Sequence, residues 1–522
     1  MIRVVLPTAG IGSRLGSITV NFNKALVPIG KKPAISHVID YYPKDTKFII
    51  ALGYKGEDIR TFITLAYPDL NVTFVSIDNY DGIGSGLGYT LKKCEPYIDG
   101  PFFFHTNDTI ITDKLDFNKF DEDTIFLSRL YIDPKSYVSA TINDEKKILK
   151  NIYKKTNKKI ETPYSYIGIA YIKSFETFKN KLKDNDNGIT ESDFLIDYLE
   201  PTSIRYIETQ SWYDIGNIEK YRIAQSELSD FDNLLKDDES IYFVENKVIK
   251  YFKNKKIINS RVERSKFLKG LIPNINNVQN NFYSYEYIPG TLLSEIDDIE
   301  IEFEKFLLWS KNNLWKSIEL NNDQLLKFKA DCLDFYYEKT ISRVNNFYEK
   351  YQMTDQEYLI NGKKVQPFEN IIKLIDWDDL CNATASGFHG DYHFENILKT
   401  GNGYTLLDWR QDFAGNLKYG DIYYDLAKLK HGFIINHGII KNNLFFIKIG
   451  NNNQVSLDFN RKDKLVRVEA LFNEFLEKNK LSLLKVNVLT NLIFLNIASL
   501  HTYPYSHFLY FLGIKGLNEL YE

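Results

Sequence analysis

Asp391, Asn396 and Asp408 are the residues of this chain whose types and spacing most directly specify chemistry. They lie in Gly387-Phe388-His389-Gly390-Asp391-Tyr392-His393-Phe394-Glu395-Asn396-Ile397-Leu398 and in Leu406-Leu407-Asp408-Trp409, at the ends of short apolar runs. Phosphoryl transfer needs one carboxylate to orient and deprotonate a hydroxyl, and an Asn and a second Asp to hold Mg2+ against ATP phosphates. A different phosphate-handling pattern opens the chain, at Leu6-Pro7-Thr8-Ala9-Gly10-Ile11-Gly12-Ser13-Arg14-Leu15-Gly16. Gly10 and Gly12 let backbone N–H groups approach an anion, and Arg14 adds a forked cation. The dinucleotide-binding spacing is not met, because Leu15 stands where its last glycine would be. Lys24 offers a second phosphate cation, and Gly82-Ile83-Gly84-Ser85-Gly86-Leu87-Gly88 would let backbone approach a base or ribose. Asp108 follows the apolar run Pro101–His105, and Asp214 stands just before a helix, where capping that helix is the alternative role. Two separated carboxylates with an Arg and a Lys suit Mg2+-assisted attack of a phosphate on the α-phosphorus of an NTP.

The elements that must position these groups alternate regularly over the first hundred or so residues. Ile2–Leu6, Phe48–Leu52, Val72–Ile77 and Pro101–His105 read as buried strands; Pro33–Tyr42, Gly56–Tyr67 and Gly86–Cys94 read as connecting helices. That alternation implies a parallel sheet with right-handed crossovers, with nucleotides at the carboxyl ends of its strands. Residues 120–225 are richer in strand (Thr124–Leu130, Ser165–Ile172, Ser203–Glu208), and a helix from Asn217 into Leu228 closes the domain. The acidic stretch Ser229–Ser240 is the expected linker. Beyond it come a hairpin (Ile241–Val244 and Lys247–Phe252), a helix (Arg261–Leu268) and a strand (Asn281–Tyr287), then a mostly helical region from Thr291 interrupted by turns at 387–425.

The N-terminal motifs, in this order, resemble those of the sugar-phosphate nucleotidylyltransferases over about residues 1–225. The resemblance implies that Leu6, Ala9, Gly10, Gly12, Gly84 and Ser85 line the nucleotide, and that Arg14 and Lys24 act on the triphosphate. It also implies that Asp108 and Asp214 hold Mg2+, and that Asn107 and Gly168 meet the acceptor. Asn23 stands where that family usually has Pro, and its Glu-Lys-Pro motif is absent, leaving Lys150, Lys154 or Lys155 as substitutes. Residues 241–522 resemble the aminoglycoside phosphotransferase and choline kinase family through His389–Asn396 and Asp408. That likeness makes Asp391 the base and Asn396 and Asp408 the Mg2+ ligands, with His389 bracing the loop. Asp421 would brace that loop or help place the acceptor, and Asp425 would be structural. Lys250 would pair with Glu263, and the Glu286–Ile288 hinge backbone would hold adenine.

The fold expectation is therefore a Rossmann-like, mostly parallel nucleotidyltransferase domain (1–228), a linker (229–240) and a bilobal kinase-like α+β domain (241–522, small lobe 241–290, large lobe 291–522). The functional expectation is a bifunctional enzyme. One half phosphorylates a small alcohol (choline, ethanolamine, a polyol or a sugar) with ATP. The other couples that phosphate to a nucleotide, CTP favoured, for surface polysaccharide or lipid decoration. The alternative is a sugar-1-phosphate nucleotidylyltransferase using UTP or GTP, with a sugar 1-kinase or a non-catalytic kinase-like domain attached. Mg2+ is the cofactor implied; the partners are small molecules, and self-association is left open. A net charge of −4 gives no drive toward nucleic acid or an anionic membrane. No apolar run approaches the roughly 20 residues of a membrane span. The three scattered cysteines (Cys94, Cys332, Cys381) and the absence of a signal-peptide pattern make cytoplasm the expected compartment.

Overall fold

The computed structural model describes residues 1–161, 163–184, 204–228 and 238–522. They form two compact units, Met1–Lys255 with Asn276–Tyr287, and Lys256–Ile275 with Ile288–Glu522. Among the described residues no helix is long and apolar enough to cross a membrane.

The first unit is built on a nine-stranded sheet. Val72–Ser76, Lys47–Leu52, Arg3–Pro7 and Phe102–His105 lie side by side in parallel, in that order. Tyr164–Ile172 then runs antiparallel between Phe102–His105 and Thr124–Ser128. The central strands are apolar on both faces, as a sheet covered by helices on each side requires. Val4 and Leu6 point into one core with Phe48 and Ile50, while Val5 joins Ile49 and Ala51 in the other. The helices Ala34–Tyr41, Gly56–Ala66 and Leu87–Cys94 supply the crossovers, within a residue or two of the sequence expectation. The strand expected at Ser203–Glu208 is Arg205–Glu208, Ser203 lying outside the described residues, as does most of the expected linker.

A second, four-stranded antiparallel sheet (Glu239–Val244, Lys247–Phe252, Phe282–Glu286, Ile275–Gln279) falls almost wholly in the same unit. Tyr242, Val244, Ile249, Tyr251 and Phe282 share one core with Phe22, Phe62 and Ile63. Tyr242 packs edge-on to Phe62 at 5.2 Å and donates its hydroxyl to Leu26 O at 2.8 Å. Lys247 Nζ donates to Leu65 O at 3.0 Å. The hairpin was expected to open a separate domain at residue 241. Its apolar face instead completes the core of residues 1–228, because a lone antiparallel ribbon must bury that face somewhere.

The second unit is mainly helical, its longest members being Ile299–Asn313, Asp463–Lys478, Leu483–Ala498 and Tyr505–Tyr521. A π-helical turn, Asp334–Glu338, joins Asn322–Leu333 to Lys339–Tyr351. Short strand pairs frame residues 387–421: Ala385–Ser386 with Gly420–Asp421, and the hairpin Ile397–Thr400 with Gly403–Leu406. The helix expected at Arg261–Leu268 runs instead over Lys255–Ser265.

Candidate active sites

In the first unit the turn after Arg3–Pro7 is a conformation glycine allows, with φ of 72° at Gly12, where an added Cβ would press on Lys24 Cβ at 3.1 Å. Asn23 staples this turn. Its amide donates to Thr8 O at 3.0 Å and Tyr54 O at 2.6 Å, and its oxygen caps Ala25 N–H at 2.8 Å. The short turn it caps, Lys24–Leu26, sends Lys24 Nζ to Asp108 Oδ2 at 2.7 Å. Burial would raise the Asp108 carboxyl, but Lys24, Thr106 and the more distant Arg14 charge hold it down at about 2. Leu6 and Ala9 bury their side chains in the core, so only their backbone is left to meet a ligand. The 82–86 loop turns on Gly82 and Gly84, both with φ above 80°, and Ser85 Oγ donates to Gly82 O at 2.7 Å.

Strand pairing brings the second carboxylate alongside. Thr109–Ile111 pairs antiparallel with Trp212–Asp214, opposing Thr109 to Asp214, and Ile215 N–H donates to Asp108 O at 2.9 Å. An added Cβ at Gly216 would lie 2.7 Å from Asp214 Oδ1 and 3.6 Å from Asp108 Oδ2, so both oxygens border the one space that this glycine keeps clear. Asp214 Oδ1 accepts Gly216 N–H at 2.6 Å; its Oδ2 accepts from Tyr137 OH at 2.5 Å and Lys220 Nζ at 2.8 Å. Asn107 is buried, and its Oδ1 has no hydrogen-bond partner among the described residues. Gly168 (φ 87°) sits against Thr106, whose hydroxyl an added Cβ would strike. Lys150, Lys154 and Lys155 are exposed. Tyr137 and Lys220 were not foreseen, although Lys220 stands only six residues past Asp214, in the first turn of Ile218–Leu228.

In the second unit Asp391 lies at the centre of a charged group. Lys428 Nζ is 2.7 Å from its Oδ1, His393 Nε2 is 3.4 Å from its Oδ2, and Asn396 Nδ2 donates to that oxygen at 3.2 Å. Burial would raise this carboxyl, yet Lys428 and His393 together bring it well below the usual carboxylate range. His393, also 3.0 Å from Glu395, is lifted to about 9 by these carboxylates against the opposing effect of burial. Leu407 N–H donates to Asn396 O at 2.7 Å, tying the segments that carry Asn396 and Asp408. Asp408 adopts a left-handed φ of 57° and is ion-paired with Arg261. A non-glycine residue held there stores strain, and such strain gathers at functional sites.

The loop rests on buried supports. Asp425 accepts N–H groups from His389 and Gly390, each at 2.7 Å, and burial raises its carboxyl to about 6. Arg264 donates to the carbonyls of Phe388, His389 and Arg410. His389 is wholly buried, as a brace should be. Asp421 departs from its expected place beside an acceptor. It is wholly buried, and its oxygens take Tyr336 OH at 2.7 Å and the N–H groups of Tyr423 and Thr384, so it caps the helix Ile422–Ile434. The loop-bracing carboxylate is Asp425. Glu263 lies on the exposed face of its helix in an ion pair with Lys266 at 2.7 Å; Arg261 is the residue of that helix that reaches Asp408. Within the first unit Lys250 is buried in mid-strand and Glu286 is exposed; in the second, Ile288 is half-buried. Arg261, Arg264, His393 and Lys428 had no role assigned from the sequence.

Both aspartate groups offer hard oxygen donors of the kind Mg2+ takes, Asp108 with Asp214 around the Gly216 space, and Asp408 with Asn396 Oδ1. Among the described residues no three His, Cys, Asp or Glu side chains converge as a metal cage. Mg2+ commonly relies on one or two carboxylates with substrate phosphates completing its shell.

No protein-family model matches the chain. The bifunctional protein GlmU of Methanococcus vannielii is 26% identical over 221 residues, 41% of this chain and 51% of that protein. The chain thus spans about half the length of such curated relatives. The D-glycero-alpha-D-manno-heptose 1-phosphate guanylyltransferase of Campylobacter jejuni is 28% identical over 107 residues, 20% of this chain and 48% of that protein. Among solved structures, the CTP:phosphocholine cytidylyltransferase LicC of Streptococcus pneumoniae is 19% identical with a TM-score of 0.37, covering 44% of this chain and 99% of that one. In sequence, the N-terminal half of the chain is similar to the sugar-phosphate nucleotidylyltransferases.

Proposed function

We propose that the first unit transfers a nucleotidyl group from an NTP to a phosphate ester, and that the second makes that ester by phosphorylating an alcohol with ATP. The observation that carries the first half is the pairing of Asp108 and Asp214 around the space at Gly216, with Lys24 beside it. In this reaction a phosphate oxygen of the ester bonds to the α-phosphorus, the α–β bridging bond breaks, and pyrophosphate leaves. Arg14 and Lys24 balance the triphosphate charge, Lys24 exchanging Asp108 for phosphate oxygens; Asn107 Oδ1, buried without a partner among the described residues, would accept a hydroxyl of the acceptor. Mg2+ held by Asp108 and Asp214 would neutralise the phosphates there, and Asn396 with Asp408 would hold it in the second unit.

In the second unit Asp391 takes the proton of the attacking hydroxyl. The hydroxyl oxygen bonds to the γ-phosphorus, the β–γ bridging bond breaks, and ADP leaves. Lys428 and Asn396 fix the carboxylate so that it points at one position, and the Asp425 and Arg264 supports keep the loop from relaxing. The product of this half is the substrate of the other, and placing both on one chain raises its local concentration. CTP, UTP and GTP are the nucleotides to test. Incubating the full chain with each NTP, ATP and a panel of alcohols, with pyrophosphate and ADP measured separately, should give ADP from ATP plus alcohol and pyrophosphate only when an NTP is also present. Pyrophosphate released without any phosphorylated acceptor would contradict the coupling.

A further inference from the structure

Besides His393, three basic side chains, Lys428, Arg410 and Lys339, gather near Asp391 in the second unit, and a fourth, Arg343, stands one helical turn from Lys339. Lys428 is engaged with Asp391 itself at 2.7 Å. Arg410 lies against the loop backbone, since an added Cβ at Gly390 would be 2.6 Å from Arg410 Cβ. Its guanidinium is 4.8 Å from the centre of the Phe335 ring, in the π-helical turn. Lys339 Nζ is 4.1 Å from the centre of the same ring and 6.0 Å from that of Tyr424, which stands one helical turn before Lys428. Arg343 follows Lys339 by one turn on the helix Lys339–Tyr351 and is half-buried.

These charges work against one another. Burial pulls Lys339 well below the usual lysine range, and Arg410, Lys428 and Arg343 lower it further; Asp391 is the acid that opposes them. Among the described residues no carboxylate lies within 4.0 Å of the charged nitrogens of Lys339, Arg343 or Arg410. Lys428 has Asp391 as its counter-ion; gathering Lys339, Arg343 and Arg410 without one costs folding free energy, which an anionic ligand would recover. The base marks the acceptor side of a phosphoryl-transfer site; Lys339 and Arg343 stand on one helix and Lys428 on another, apart from the hairpin between Asn396 and Asp408, while Arg410 follows Asp408 by two residues. A quaternary ammonium or amine acceptor would be repelled there.

Building on the phosphotransferase role of the second unit, we propose that the alcohol phosphorylated at Asp391 carries an anionic group of its own, a carboxylate or a phosphate, held by Lys339, Arg343 and Arg410. The site then takes a hydroxy acid or a phosphorylated polyol. Choline and ethanolamine are excluded by charge.

The test uses the full chain with ATP and four small acceptors that differ in charge, glycerol, D-glycerate, sn-glycerol 3-phosphate and choline, reading ADP release. At least one anionic acceptor should exceed glycerol in kcat/KM by about tenfold or more, with choline lowest. D-glycerate against sn-glycerol 3-phosphate decides between carboxylate and phosphate. Arg343→Gln and Lys339→Gln should each lower the ratio of kcat/KM for the anionic acceptor over glycerol by about tenfold. Choline or glycerol outperforming both anions, with Asp391 still required, would overturn the anionic assignment alone. KM for ATP rising by the same factor with every acceptor would give these cations to ATP and also overturn it. ADP release that survives Asp391→Asn would instead remove the phosphotransferase reading itself.

Discussion

Each unit keeps one wholly buried histidine beside its principal aspartate, and the two are wired alike. His105 donates Nε2–H to Thr109 O at 3.0 Å and accepts Tyr42 OH at Nδ1 at 2.9 Å. His389 donates Nε2–H to Leu407 O at 2.8 Å and accepts Asp391 N–H at Nδ1 at 3.2 Å. A carbonyl can only accept, so Nε2 carries a proton in both rings; Nδ1 of His389 is bare because a backbone N–H can only donate, and burial, which lowers His105 to about 4, keeps that ring neutral as well. Around them the units diverge. Asp108 and Asp214 sit at strand ends, where backbone pairing with the neighbouring strand already fixes them, and their charges are met by Lys24 and Lys220. Asp391 sits on a loop, which has no ladder to hold it, and the chain answers with Asp425, Arg264 and His389 buried beneath. A site on strand ends is positioned by the fold; a site on a loop needs dedicated ionic supports, whose loss should show as instability as well as inactivity.

The sharpest way to break this contrast is truncation. A chain ending at residue 240 loses Tyr242, Val244, Ile249, Tyr251 and Phe282 from the core shared with Phe22 and Phe62. At about 1.5–3 kcal/mol for each large apolar side chain, that loss rivals the whole stability of a typical domain. Residues 1–240 should be insoluble or melt far below a chain ending at 290; equal melting temperatures would show the added sheet to be dispensable to the first unit. A smaller effect is expected of Arg264→Met, which leaves three carbonyls and the buried Asp425 without their cation. It should cost about 3 kcal/mol or more in denaturant unfolding, and Asn23→Ala in the strand-end site about 1–2 kcal/mol. Equal costs would dissolve the distinction between the two sites.

The smallest effect is shared. Burial lowers His105 to about 4 and His389 to about 3, below the usual 6.5. Below pH 6.5 the unfolded chain therefore binds protons that the folded chain refuses, and stability falls as pH drops from 6.5 toward those values. The slope should be at most about 1.4 kcal/mol per pH unit for each histidine. His389→Asn should flatten the decline seen by denaturant unfolding between pH 6.5 and 5; an unchanged slope would mean that His389 is protonated in the fold.

Much of this was legible in the sequence because short apolar runs and their Gly-rich ends report a parallel sheet directly. Lys47–Leu52 and Phe102–His105 fall within a residue of expectation. Asp108, Asp214, Asp391, Asn396 and Asp408 stand out in the sequence because a fixed spacing to neighbouring residues marks them. The supports carry no such mark. Lys220, Arg261, Arg264 and Lys428 are single cations among 65 Lys and Arg, and only the fold says which are buried. The helix Lys255–Ser265 was misplaced for the same reason, since it buries Ile258, Arg261 and Arg264 and so lacks an apolar stripe. Asp421 caps the helix that carries Asp425 four residues on, and sequence could not say which one faces the loop.

We propose that two separate aspartate groups carry two separate reactions. Asp391→Asn and Asp108→Asn in the full chain, each assayed for ADP release from ATP plus alcohol and for pyrophosphate release from NTP plus a supplied phosphate ester, test it directly. Asp391→Asn should lose ADP release by about a thousandfold and keep pyrophosphate release, and Asp108→Asn should do the converse. Either substitution abolishing both activities in a folded protein would contradict the account.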